Sequence, residues 1–245
     1  MASSAFDLAC KARGFKRTKT TYARCIGDGI LQILFVGGRT YVSPFSPHYS
    51  NTARKSNYIS IGLWSMYCDL PEFVFEPGIF AGYFSIENFR GRKFIDFMGI
   101  QEDHKFMLEQ GLDILDSIQT QESLTQTVRA LYTAEFGGVN SMALDLCAAH
   151  LKCGQNAEAL ERVGSYYASR WAMFHQSANT MPIEEYQIHE AELREGTKKY
   201  ADLWTMIATR NFDAIEEYLK NNFERNLGYA EKYGVPLNLS IPSGQ

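Results

Sequence analysis

The hydrophobic pattern of this chain changes period once, close to residue 100, and that change limits the fold more than any other feature. Before it, apolar residues recur at strand spacing. After it they recur every three or four positions, as they do along one face of a helix. A chain that runs strands first and helices afterwards belongs to the α+β class, because α/β folds alternate the two. The expected architecture is an N-terminal antiparallel β-sheet with a leading helix, followed by an all-α half built of helical hairpins, with domains over residues 1–100 and 101–245.

Within the first half, Ser4 and Asp7 have the spacing of a capping box, Phe6 and Cys10 fall on one helical face, and Gly14 can supply a left-handed stop. Strand signal begins near Tyr22, turns at Gly27, Asp28 and Gly29, and continues through Ile30 to Val36, apolar on both faces, which predicts a hairpin with a central second strand. Gly37 and Gly38 are expected to end that strand. The stretch from Ser43 to Asn57, rich in Ser, Pro and Asn, is expected to be a loop. Alternation from Tyr58 to Tyr67 predicts a third strand, and Phe80 to Phe89 and Phe94 to Met98 predict two more, completing a meander.

Six helical segments are expected after residue 100, near 101–118, 120–136, 140–153, 156–174, 182–209 and 212–233, with a loose tail from Leu237 to Gln245. Short breaks at Gly154 and Gln155 and at Arg210 and Asn211 favour antiparallel neighbours. The joints around these breaks resemble those of tetratricopeptide-type hairpins, but no repeat period recurs, so hairpins and not a solenoid are expected.

Charge is also unevenly divided along the chain. Residues 1–60 carry nine Lys or Arg against Asp7 and Asp28, a net of about +7, while the remainder is at about −11. Such a basic segment suits an anion or an acidic partner, or docking between subunits. The acidic pI of about 5.8 argues against a general nucleic-acid binder. No apolar run reaches membrane-spanning length, and five scattered cysteines without a short repeated spacing fit a reducing compartment, so a cytoplasmic location is expected.

Motifs that carry chemistry are sparse. Cys147, His150 and Cys153 combine ligand types suited to zinc, yet positions six apart on a helix lie about 120° around the axis and cannot converge. They are expected to be core residues near a hairpin, and no metal or other cofactor is expected. Glu185, His189 and Glu192 share one helical face among further glutamates, as a solvated acidic face would. Glu102, Asp103 and His104 open a helix where acids complement its dipole. Neither Gly27-Asp28-Gly29 nor Gly37-Gly38 fits a nucleotide-cradle pattern. The convergence that can make a site is basic and aromatic: Lys16, Arg17, Lys19 and Arg24 beside Tyr22, together with His48, Tyr49, Arg54 and Lys55 on the Ser43 to Asn57 segment.

Gly14-Phe15-Lys16-Arg17, then Tyr22-Ala23-Arg24, then Ile30 to Ile33 with its central Gln32, and later Tyr58 to Gly62, resemble the N-terminal part of the bacterial domain-of-unknown-function 4304 family. The resemblance covers about the first 70 to 100 residues and implies an α+β fold. It implies no activity and no catalytic residues.

Two functions are compatible with these residues. One is a non-catalytic protein-interaction or regulatory module, immunity-like in kind, with a protein partner or a second copy of itself. The other is an enzyme acting on an anionic small molecule through His48, Arg54 and Lys55 with an acid such as Glu102 nearby.

Overall fold

The leading helix forms where its cap chemistry places it. In this computed structural model, which describes residues 4–41, 54–77, 84–85, 100–135, 143–178 and 181–240, α1 (Ala5–Ala12) is closed by the capping box of Ser4 and Asp7, buries Phe6 and Cys10, and stops at Gly14 with φ +80°.

A turn at Lys19 then connects β1 (Lys16–Thr18) to β2 (Thr21–Gly27), which pairs with β3 (Ile30–Tyr41), and β3 with β4 (Arg54–Ser65), all antiparallel. The fold is α+β, with β3 central as its two-sided apolar run requires: Ile30, Leu31, Ile33 and Leu34 are all buried. The two-residue strand β5 (Phe84–Ser85) joins β4. The rest of the segments expected as strands over 80–98 lies outside the described residues.

Three local expectations are corrected. Gly37 and Gly38 do not end β3: they pair with Tyr58 and Asn57, so the ladder runs on to Tyr41 opposite Arg54. Residues 54–57 are therefore strand and not loop, because an antiparallel partner supplies hydrogen bonds that local composition does not signal. The C-terminal tail is not loose throughout. Leu237–Leu239 forms β6, parallel to β2, with Cys25 opposite Leu237 and Gly27 opposite Leu239. One edge of β2 is thereby shared, first by β1 and then by β6.

The helices follow as α2 (Ile100–Phe106), a π-helical turn Met107–Gly111, α3 (Leu112–Ser117), α4 (Gln121–Glu135), α5 (Ala143–Lys152), α6 (Asn156–Ala178), α7 (Ile183–Ala208) and α8 (Phe212–Tyr233). The chain forms two compact units. The first comprises Met1–Met66, Leu70–Gly137 and Arg225–Gln245, and the second Tyr67–Asp69 and Gly138–Glu224. Residues 100–135 thus belong with the sheet. Among the described residues, no helix is long and apolar enough to cross a membrane.

Inside the first unit, the cross-strand pair Arg24 and Gln32 ties the sheet to α3. Arg24 donates through Nε and Nη2 to Gln32 Oε1 at 3.0 and 2.8 Å, through Nη2 to Asp116 Oδ1 at 2.6 Å, and through Nη1 to the Arg13 carbonyl at 2.5 Å. Gln32 Nε2 in turn donates to the Leu115 carbonyl at 2.8 Å. The guanidinium lies 4.1 Å from the Phe15 ring centroid. Burial depresses its pKa, an effect that Asp116 offsets in part.

Candidate functional site

A hollow on the first unit lies where the C-terminal end of α1, the strand β1 and the approach to β6 meet. Lys11 stands on the last turn of α1, and Lys16 and Arg17 on β1, around a hollow of about 540 Å³. Gly14 and Pro236 complete its wall. Close approach fixes this wall, since a Cβ on Gly14 would stand 2.8 Å from Asn238 Nδ2.

Asp7 is the acid of the hollow, and its charge is already answered. Arg17 Nη1 donates to its two oxygens at 2.9 and 2.8 Å, the Tyr22 hydroxyl donates to Oδ1, and the Ser4 backbone N–H donates to Oδ2 at 3.3 Å. Burial raises its pKa, but these hydrogen bonds and the guanidinium outweigh it and hold the carboxyl below its ordinary value of 3.8. Burial pushes the Tyr22 hydroxyl up, and its bond to Asp7 adds to the shift. Lys11 has no hydrogen-bond or ion-pair partner among the described residues, whereas the Lys16 ammonium reaches to the end of α8, where a Cβ on Gly234 would stand 2.5 Å from its Nζ.

The depressed acid gives a signed pH dependence. Its contribution is complete above the unfolded value near 3.8 and disappears as pH falls through the folded value. Asp7→Asn is therefore expected to flatten the decline of the urea midpoint below about pH 4 while leaving its neutral-pH shape unchanged. Parallel acid limbs for the two proteins would contradict this.

The residues picked from the sequence separate in the structure. Lys16, Arg17 and Tyr22 share the hollow. Arg24 is 3% exposed and committed to Gln32, Asp116 and a backbone carbonyl. Arg54 and Lys55 lie at the start of β4, opposite Tyr41 and Thr40. His48 and Tyr49 lie outside the described residues. Lys11 was missed, being one more exposed cation on an amphipathic helix until β1 is folded beside it.

The other constellations resolve into packing. Asp103, near the start of α2, is 5% exposed, and its Oδ2 is 3.4 Å from the Ile59 backbone N–H. His104 stacks on Phe6 at 4.5 Å, and burial lowers its pKa. Cys147 Sγ lies 3.5 Å from the Ala159 carbonyl and His150 Nδ1 lies 2.7 Å from Gln155 Oε1, both across the α5–α6 joint. Cys153 is only half-buried. His189 pairs with Glu192 at 3.1 Å on an exposed face of α7.

The second unit contains an unusual hairpin. In its distal half, described over 164–177 and 181–196, no residue is fully buried, although the seam between α6 and α7 is aromatic. Phe174 meets Tyr186 at 5.1 Å, Trp171 lies 6.2 Å from Tyr167, and Arg194 covers one face of Trp171 at 5.0 Å. Trp171, Phe174, Tyr186 and Leu193 all remain half-exposed. Met173, Ile183 and Ile188 are 63%, 73% and 58% exposed. Two helices alone bury one stripe each and leave both flanks of that stripe to solvent. No family model, no curated protein and no solved structure matches this chain.

Proposed function

We propose that this protein is a non-catalytic interaction module, regulatory and immunity-like in kind, that assembles with a second copy of itself through the distal α6–α7 hairpin. The half-exposed aromatic seam carries this reading. The helices of the hairpin are about 35 and 39 Å long, and a four-helix bundle made from two such hairpins covers the flank that one leaves open.

Charge supports the second copy as occupant. Over residues 183–196, α7 carries five glutamates against Arg194, whereas α6 over 164–178 carries Arg170 and no acid. Glu184, Glu185 and Arg170 form no ion pair among the described residues, so they are open to a partner. A two-fold arrangement, the commonest symmetry of soluble oligomers, sets α6 of each copy against α7 of the other and matches these charges twice. Five free thiols support a reducing, cytoplasmic setting for the assembly, and the resemblance of the N-terminal residues supports a bacterial one.

Hydrogen exchange tests the proposal. Amides of 164–196 are expected to gain protection as protein concentration rises from about 1 to about 100 μM, while those of β2 and β3 do not change. Concentration-independent exchange throughout the hairpin would count against it.

A further inference from the structure

We infer that the outer edge of β6 takes up an extended segment of a partner protein, one in which acidic residues alternate with apolar ones. This goes beyond the assembly proposed above and rests on different residues in the other compact unit.

The main chain decides which groups face outward. The Cys25 N–H donates to the Pro236 carbonyl at 2.8 Å and the Ser240 N–H to the Gly27 carbonyl at 2.9 Å, so Pro236, Asn238 and Ser240 turn their peptide groups toward β2. Strand geometry then turns those of Leu237 and Leu239 the other way. Among the described residues β6 pairs with β2 alone, which leaves these donors and acceptors open to a further strand. Pro236 does not blunt the edge, because the N–H it lacks belongs to the β2 side. Strand addition uses an edge of this kind: main-chain bonds hold the guest, and its alternate side chains are read on the two faces of the sheet.

The two faces differ, and the difference sets the guest. Leu237 and Leu239 lie opposite Cys25 and Gly27 and share one face, where Leu237 is 36% exposed, so the guest residues beside them are apolar. Asn238 lies opposite Ile26 and takes the other face, beside Gly14, whose added Cβ would stand 2.8 Å from Asn238 Nδ2. That face borders the hollow of Lys11 and Arg17. Asp7 is the only acid among the described residues lining the hollow, and Arg17 is committed to it, so Lys11 is the unmatched charge. A carboxylate on the guest complements it. Lys16 does not enter this balance, because it lies opposite Ala23 on the Leu237 face and its ammonium stands at the C-terminal end of α8, where the helix dipole favours a cation.

The test is a calorimetric titration of the full chain with two capped heptapeptides, one alternating valine with glutamate and the other valine with lysine. The glutamate peptide is expected to bind with a dissociation constant below about 1 mM, and the lysine peptide at least about fivefold more weakly. Lys11→Glu is expected to reverse that order. Leu237→Pro removes an outward N–H and no bond to β2, and is expected to weaken the glutamate peptide at least about tenfold. Leu237→Val keeps both the N–H and an apolar side chain, and is expected to stay within about threefold of the wild type. A dissociation constant above about 1 mM, equal affinity for the two peptides, an order unchanged by Lys11→Glu, or undiminished binding by Leu237→Pro would overturn the inference. So would a fall in the mass of the unliganded protein on Leu237→Pro, which would assign the edge to a second copy.

Discussion

Gly27→Ala is expected to destabilise the protein by about 4 kcal/mol or more, enough to leave a large fraction unfolded at ambient temperature. Gly27 has φ +54°, a region that costs an L-residue about 1–2 kcal/mol. The larger part is steric. A Cβ there would stand 2.0 Å from the Gln119 carbonyl oxygen, a backbone atom that cannot swing aside. That oxygen accepts the Asp28 N–H at 2.9 Å, and Gln121 Nε2 donates to the Asp28 carbonyl, so residues 119–121 clasp the β2–β3 turn. Relieving the clash opens the clasp. Gly154→Ala is the matched comparison: its φ is +70° and no atom lies within 4 Å of the added Cβ, so only the conformational cost of about 1–2 kcal/mol applies. Denaturation midpoints compare the two, and equal losses would show that the contact with Gln119 is not what fixes the turn.

Arg24→Met is expected to cost about 3 kcal/mol, and Asp116→Asn clearly less. Removing the guanidinium strands Gln32 Oε1 in a site where Gln32 has no exposure, and it removes the packing over Phe15. Asp116 is different, because its side chain is 39% exposed and water can replace the lost partner. Adding Gln32→Leu to Arg24→Met is expected to recover part of the loss, since polar groups stranded together cost less once both are gone. Denaturant titration of the single and double variants measures this coupling. Strict additivity would mean that Arg24 and Gln32 do not act as one unit.

These effects also show which parts of the chain could be read before folding. Two-sided apolar runs such as Ile30 to Val36 identify a central strand, and cap signals such as Ser4 with Asp7 identify a helix start, because both depend on neighbours in sequence. β6 and the extension of β3 to Tyr41 depend instead on partners far along the chain, and Gly37, Gly38 and Asn238 carry no local sign of them. The same distinction separates Arg24 from Lys16. Both are cations beside aromatic residues in sequence, yet the pleat sends Arg24 beneath α3 to Gln32 and Asp116, while Lys16 on the shared edge borders the hollow. The hollow beside Lys11 and Arg17 was half legible. Lys16 and Arg17 are contiguous on β1, but only the fold matches Arg17 to Asp7 across the α1–β1 turn and sends the Lys16 ammonium to Gly234 on the other face.

Sedimentation equilibrium of the full chain at about 10–100 μM tests the proposed assembly most directly. The wild-type chain is expected to show twice the mass of its 27.8 kDa polypeptide, and Ile183→Asp combined with Ile188→Asp, at positions already 73% and 58% exposed, is expected to return it to the single-chain mass with an unchanged helical spectrum. A wild-type protein that sediments as one chain across that range, or a dimer indifferent to the two aspartates, would contradict the assignment of the α6–α7 hairpin as the self-association surface.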